Sequence, residues 1–364
     1  MSWAVAGGGT GGHVTLALAL AEEIRARGGE VFLLGTDRGL EGRLVPAAGF
    51  DLVTLPARQV MGQRWLSAVG ALLGLLTTTR AARRVLRARG ATGVLSVGGY
   101  ASVPAMAAAR LAGIPSALVE PNAVPGRANR LMARLARRIF VGFDEARAHL
   151  PGGERIRSRG IPLRRALVQA FAAPGATAHR PPAPPFRLLV AGGSQGARQL
   201  NDAMIEIAPR LSPERVEVFH QSGAADRERV AEAYRRAGLR ACVVDFTDDM
   251  PARYRWADLA VCRAGALTVA ELALAGLPSL LVPYPHAADD HQTANARALS
   301  AVGGARLLES RPLDPEALRG ELEALLAAPE RIEAMRRALA IRARPDAARE
   351  IVDDCTEVFG PMWR

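Results

Sequence analysis

The chain has 364 residues and a formal net charge of +11, carried by 47 basic residues that are all arginine. That length suits two domains, each with its own core, rather than one. Three widely spaced cysteines (Cys242, Cys262, Cys355) exclude a disulfide framework and a zinc-ligand pattern, so a reducing cytoplasm is expected. With aromatics at 5% and no stacking pattern, the charge is not that of a nucleic-acid binder; it suits solvated faces or phosphate and acidic-lipid partners.

In chain order, "AVAG" (4–7), "EVFLLG" (30–35), "GVLSVG" (93–98), "SALVE" (116–120) and "RIFVGF" (138–143) read as buried strands. Helical patterns at 15–27, 67–89, 104–112 and 126–137 alternate with them. "AAPGATAHRPPAPPF" (172–186), with five prolines in fifteen positions, reads as a surface loop. Alternation then resumes with "RLLVAGG" (187–193), "VEVFHQ" (216–221), "ACVVDF" (241–246), "LAVCRA" (259–264) and "SLLVPY" (279–284). The expected fold is α/β: two Rossmann-like domains with parallel sheets, meeting near residue 163 and facing each other across a deep cleft. The first runs over 1–163 and the second over 164–340; residues 341–364 form a helix expected to pack back on the first. The chain enters its first strand without a basic n-region or cleavage site, and no apolar run reaches the ~18 residues of a spanning helix.

Two segments recur. "GGGTGGH" (7–13) returns as "GGSQG" (192–196), and "VGGYASVPAMAAARLAGIPSALVEP" (97–121) resembles "CRAGALTVAELALAGLPSLLVPYP" (262–285). Glycines after a strand permit φ > 0 and bring backbone N–H groups to an anion at the next helix start. Neither copy is a nicotinamide-type fingerprint or a P-loop, so phosphate or diphosphate binding without hydride or phosphoryl transfer is the expected use. A ligand-free tight turn is the plainer alternative.

"GGGTGGH", "SVGGYASVPAMAAARLAGIP", "EPNAVPGRANRLMARLARRI", "GGSQGARQLND" and "CRAGALTVAELALAGLPSLLVPYPHAADDHQTANA" together resemble the MurG family of peptidoglycan N-acetylglucosaminyltransferases, in the family's order over residues 3–305. The resemblance implies a GT-B fold. It implies transfer of N-acetylglucosamine from UDP to the C4 hydroxyl of a lipid-linked muramyl-pentapeptide, with inversion to a β-1,4 bond. It places UDP-N-acetylglucosamine on the C-terminal half and the acceptor, an undecaprenyl-diphosphate-linked muramyl-pentapeptide, on the N-terminal half. Such a protein works peripherally at the cytoplasmic face of the bacterial inner membrane. No cofactor and no metal site are expected, since no Asp-x-Asp falls among the motifs.

On the donor side the resemblance assigns Ser194 and Gln195 to the glycine loop, Leu267 and Thr268 to the diphosphate at a helix start, and Glu271 to the ribose hydroxyls. Gln292 and Asn295 fall on the sugar-recognising pair, Phe246 opens the "FTDDM" (246–250) stretch that reads uracil, and Arg164 matches an interdomain arginine for diphosphate charge. On the acceptor side lie Thr10, Gly11, Gly12, His13, Tyr100, Glu120, Asn122 and Asn129. Leu16, Pro121 and Ile161 stand where the family usually has proline, glutamine and asparagine, which bears on acceptor contacts.

An inverting transfer needs a base for the acceptor hydroxyl and stabilisation of the leaving diphosphate. His13 suits the base, with an ordinary imidazole value of roughly 6.5; Glu120 is its rival. Each has a plainer role, His13 binding acceptor phosphate or capping a helix and Glu120 packing at a strand end. Asp289 and Asp290 read as acids at a helix start. "RWLSAVGALLGLLTTTRAARRVLRARG" (64–90) joins an apolar segment to Arg80, Arg83, Arg84, Arg87 and Arg89, which fits either a core helix or a patch on an anionic membrane. Competing readings are a related GT-B enzyme with another nucleotide sugar or glycolipid acceptor, and a non-catalytic sugar-nucleotide-binding protein.

Overall fold

Short apolar runs separated by alanine- and leucine-rich segments favour parallel strands buried on both faces, with helices covering the sheet. The computed structural model describes residues 2–36, 40–56, 66–172, 179–193, 196–309 and 312–360, with backbone alone for 66–72, and contains two such sheets. The chain divides into a first unit, Met1–Arg165 with Pro345–Arg364, and a second, Ala166–Arg344.

In the first unit, β1 (Ser2–Ala6), β2 (Glu30–Gly35), β3 (Asp51–Thr54), β4 (Ala91–Ser96), β5 (Ser116–Glu120), β6 (Arg138–Val141) and β7 (Ile156–Ser158) form one sheet. Its order is β3-β2-β1-β4-β5-β6-β7, parallel throughout. The second unit holds β8 (Phe186–Ala191), β9 (Val216–Gln221), β10 (Arg240–Val244), β11 (Leu259–Cys262), β12 (Ser279–Leu281) and β13 (Ala305–Leu307). These lie in the order β10-β9-β8-β11-β12-β13, again parallel. Both sheets are doubly wound, as the alternation predicts. The strands that the pattern misses, β3, β7 and β13, are short edge strands, too brief to show an apolar run. The strand expected over 279–284 stops at Leu281, and the helix expected over 126–137 spans only Arg127–Met132.

The recurring Ala-Gly-Ile/Leu-Pro element does the same work twice. Gly113 (φ 72°) and Gly276 (φ 63°) end the helices Ser102–Ala112 and Ala266–Ala275 in the left-handed conformation. Ile114 N then donates to Ala109 O and Leu277 N to Leu272 O, at 2.9 and 3.0 Å. The following prolines cannot extend a helix, and their carbonyls accept Val94 N and Ala260 N, which starts β5 and β12 in register. Of the proline-rich stretch, 173–178 lies outside the described residues. The rest is tied down, with His179 Nε2 2.7 Å from Ala275 O and Arg180 paired with the buried Asp258 at 2.5 Å.

The helix Ala347–Phe359 belongs to the first unit. Its Phe359 ring meets Trp3 edge-on, with centroids 4.9 Å apart, over the place where Gly93 of β4 lacks a side chain. Arg27 Nη1 donates to Asp353 Oδ1 at 2.5 Å, and Arg159 makes a two-pronged pair with Asp354 at 2.8 and 3.0 Å.

Candidate active site

In a doubly wound sheet, ligands bind beyond the carboxyl ends of strands where the order reverses. In the first unit that point lies between β1 and β4, and both glycine turns leave from it. After β1 the chain runs through Gly7–Gly9 to Thr10, whose hydroxyl caps the helix Gly11–Ala26 by accepting His13 N at 3.4 Å. After β4 come Gly98 (φ 91°) and Gly99 (φ 84°), then the exposed Tyr100. The two turns press together: a Cβ on Gly99 would overlap the Gly8 carbonyl, and one on Gly7 would strike Val97. Ser102 pins the arrangement from below, donating to Gly98 O at 2.7 Å and Ala6 O at 3.0 Å.

His13 Nδ1 lies 3.0 Å from Thr10 Oγ1, which turns Nε2 toward Gly98. A Cβ on Gly98 would meet His13 Nε2 at 3.0 Å and Asn129 Nδ2 at 3.3 Å, so both groups border one spot. Asn129 Nδ2 donates to Glu120 Oε2 at 2.7 Å. Glu120 Oε1 accepts Asn122 N at 2.9 Å and Asn122 Nδ2 at 3.2 Å. Burial raises the Glu120 carboxyl above its ordinary value, against the lowering effect of these amide donors. Thr10, Gly11, Gly12, His13, Tyr100, Glu120, Asn122 and Asn129 therefore gather at the ends of β1, β4 and β5.

The second unit repeats the plan between β8 and β11. Gly193 (φ 86°) and Gly196 (φ 76°) flank Ser194 and Gln195, which lie outside the described residues. Gln221 Nε2 holds Gly193 O at 3.2 Å, and a Cβ on Gly196 would overlap Ser222 O. After β11, Gly265 leads into the helix Ala266–Ala275, whose first turn carries Leu267 and Thr268 and no acid to offset an anion. One turn on, Glu271 Oε2 accepts the Tyr254 phenol at 2.6 Å. Burial pushes the Glu271 carboxyl up to about 7, against that hydrogen bond, which favours the ion. Buried Asn295 donates from Nδ2 to Ala264 O at 3.2 Å, and Gln292 Oε1 accepts Tyr284 N at 2.9 Å. Phe246 stands exposed ahead of the helix Met250–Trp256. Asp289 (φ 50°) and Asp290 (φ 52°) do precede a helix, His291–Ala301, but as two successive left-handed residues. Such backbone is costly for non-glycine residues and concentrates at functional sites.

Arg164 is placed in the first unit, where its Nε donates to Glu22 Oε1 at 2.7 Å. Two residues with evident roles carried no signal in the sequence, and Ser102 stood there only as the Ser/Thr of the repeated Gly-x-x-Ser/Thr-Val element. Glu41 is buried and takes Gly9 N on both oxygens at 3.3 Å and Thr36 Oγ1 on Oε1 at 2.7 Å, bracing the first glycine turn. Tyr254 is the other. Each acts through a contact between elements distant in the chain, which no local spacing announces.

Comparison with known proteins agrees with this architecture. Residues 3–141 match the model of the glycosyltransferase family 28 N-terminal domain, and 187–351 that of the family 28 C-terminal domain. A UDP-N-acetylglucosamine–N-acetylmuramyl-(pentapeptide) pyrophosphoryl-undecaprenol N-acetylglucosamine transferase of Anaeromyxobacter sp. (strain Fw109-5) is 44% identical, covering 100% of this chain and 95% of the relative. The enzyme of that name from Stutzerimonas stutzeri (strain A1501) is also 44% identical, over 96% and 97%. The crystal structure of Acinetobacter baumannii MurG superposes with a TM-score of 0.79 at 31% identity, covering 98% of this chain and 99% of that one. The chain belongs to glycosyltransferase family 28 and, within it, to the MurG family.

Proposed function

We propose that this N-acetylglucosaminyltransferase moves N-acetylglucosamine from UDP-N-acetylglucosamine to the C4 hydroxyl of undecaprenyl-diphosphate-linked N-acetylmuramyl-pentapeptide, inverting the anomeric centre to a β-1,4 bond. The observation that carries the reading is the pair of glycine turns, each feeding a helix start at the reversal point of its own parallel sheet. Two diphosphates, one on each substrate, call for two such anion sites. The second unit takes the donor: Leu267 and Thr268 at the diphosphate with the Ser194–Gln195 loop, Glu271 at the ribose, Gln292 and Asn295 at the sugar, and the segment from Phe246 at uracil. The first unit takes the acceptor through Thr10, Gly11, Gly12 and Tyr100, while Arg164 offers charge to a diphosphate from the end of that unit.

His13 is the better base of the two. Glu120 has its oxygens occupied by Asn122 and Asn129 donors, which suits it to orienting those amides. With Nδ1–H given to Thr10 Oγ1, the tautomer this role requires, Nε2 keeps the lone pair that removes the C4 hydroxyl proton. The leaving UDP is stabilised by the helix start at Ala266.

Among the described residues no helix is long and apolar enough to cross a membrane. Leu73, Leu75 and Leu76 are nonetheless exposed on the helix Leu66–Ala88, and Arg80, Arg84 and Arg87 are exposed further along it. This supports peripheral attachment to an anionic membrane at the cytoplasmic face, where a lipid-linked acceptor is met. The deciding assay combines purified protein, labelled UDP-N-acetylglucosamine and lipid-linked muramyl-pentapeptide, with the new linkage read by NMR. A β-1,4 disaccharide product supports the reading; turnover only with another nucleotide sugar or acceptor overturns it.

A further inference from the structure

Tyr254 is buried on the helix Met250–Trp256, and its phenol donates to Glu271 Oε2 at 2.6 Å. That helix starts at Asp249, whose carboxylate caps it by accepting Ala252 N at 3.1 Å. Asp249 lies inside the 246–250 segment. One side chain therefore joins the segment read as facing uracil to the carboxylate read as facing ribose.

We infer that Tyr254 is a positioning residue for donor recognition: its phenol fixes one oxygen of Glu271, orients the carboxylate toward the ribose hydroxyls, and ties it to the base-reading segment. This rests on the proposed reading of Glu271 as the ribose acceptor.

The arrangement also decides when Glu271 is charged. Burial holds its carboxyl at about 7, and the Tyr254 hydrogen bond opposes that rise. Cys262 of β11, pushed by burial up to about 12, stays a neutral thiol, and buried Tyr254 stays a phenol. Several cationic side chains on neighbouring elements are engaged elsewhere. Arg253 lies over the Phe219 ring at 4.5 Å, Arg255 donates to Ala170 O, and Arg263 to Gln199 and Pro283 O. Arg336 pairs with Glu333 and Arg297 with Glu309, while His291 Nδ1 lies 2.7 Å from Ala288 O. The phenol is thus the group through which the protein tunes this carboxylate. Ribose hydroxyls donate best to the ion, so donor affinity rises with pH through the Glu271 midpoint, and deleting the phenol moves that midpoint up.

Calorimetry with UDP-N-acetylglucosamine from about pH 5.5 to about pH 9, each variant read against the unmodified protein at the same pH, tests this, because the diphosphate diester does not titrate there and ionisation of the uracil near the upper end then cancels. Tyr254→Phe is expected to raise the midpoint by about one pH unit, so binding is roughly tenfold weaker below the midpoint and returns toward the unmodified value near pH 9. Replacing all four tyrosines by the more acidic 3-fluorotyrosine strengthens the donor and lowers the midpoint, which decides the matter if Tyr254→Phe does not fold. Glu271→Gln should bind about 10- to 100-fold more weakly without the pH dependence. Unchanged donor affinity in Glu271→Gln would remove the ribose reading itself. A weak, pH-independent Glu271→Gln beside an unmoved midpoint in the Tyr254 variants, or a loss in Tyr254→Phe equal at every pH, would leave that reading standing and overturn the role of Tyr254.

Discussion

At the end of β5, Glu120 accepts hydrogen bonds from Asn122 and Asn129, while His13 is turned by Thr10 toward Gly98. The two residues should therefore fail differently. His13→Ala is expected to lower turnover by on the order of 10²-fold or more with donor affinity unchanged. A rise in acceptor KM alone would make His13 a binding residue and pass the base to Glu120. Glu41 shows the opposite electrostatic balance. Burial would raise its carboxyl, but hydrogen bonds from Thr36 Oγ1 and from the Glu41, Gly9 and Thr36 amides outweigh burial and lower it. A depressed folded-state value gives stability that is present above the ordinary carboxylate range and lost as pH falls through the folded value. Glu41→Gln should cost about 1–3 kcal/mol at pH 7 and shrink the loss on acidification, which denaturant melts at pH 7 and pH 4 would compare. The expected acceptor residues were legible as a group beyond β1, β4 and β5, whereas Arg164, expected on the donor side, lies in the first unit bonded to Glu22. The braces Glu41 and Tyr254 were what the sequence did not announce, because they act across the fold; Ser102 showed there only as a repeated Ser/Thr position, without its contacts.

Among the elements, the glycine turns separate two uses of the same residue. Gly9 (φ 86°) has open space where a Cβ would stand, whereas Gly99 (φ 84°) faces the Gly8 carbonyl. Gly9→Ala should cost only the ~1–2 kcal/mol of left-handed backbone, and Gly99→Ala considerably more, with the acceptor turn displaced. Thermal unfolding with acceptor KM distinguishes the two. The arginine-bearing helix makes a separate prediction. Each exposed arginine near an anionic surface contributes ~1 kcal/mol, so Arg80, Arg84 and Arg87 replaced by glutamine, with half-buried Arg83 left in place, should weaken vesicle binding and flatten its salt dependence while leaving UDP binding intact. Equal sedimentation of the variant with anionic vesicles would put the membrane patch elsewhere. Two departures from the family pattern turn out to be neighbours. A Cβ on Gly142 would meet Ile161 Cγ1 at 2.5 Å and Pro121 O at 2.7 Å, so the apolar exchange at both positions changes one small region together. Spacing along the chain could not show that proximity, since it depends on β5, β6 and the strand end after β7 lying side by side.

For the whole molecule, the alternation of strands and helices was legible because parallel strands buried on both faces must be continuous apolar runs, and β3, β7 and β13 were not because partly exposed edge strands of only three or four residues carry no such run. The unit formed by residues 1–165 is completed by 345–364. Phe359→Ala removes a ring packed against Trp3 and Gly93 and should destabilise that unit by about 3–5 kcal/mol. The second unit should unfold as before, so calorimetry should show one transition falling and the other holding; two equal shifts would contradict the division. The same connectivity sets an order of events during synthesis. When a ribosome has delivered residues 166–344, every strand of the second sheet is available, yet β1 and β4 still await the ring that covers them. The later-made unit can thus close first, and the earlier-made one stays exposed to proteases and chaperones until Phe359 leaves the exit tunnel.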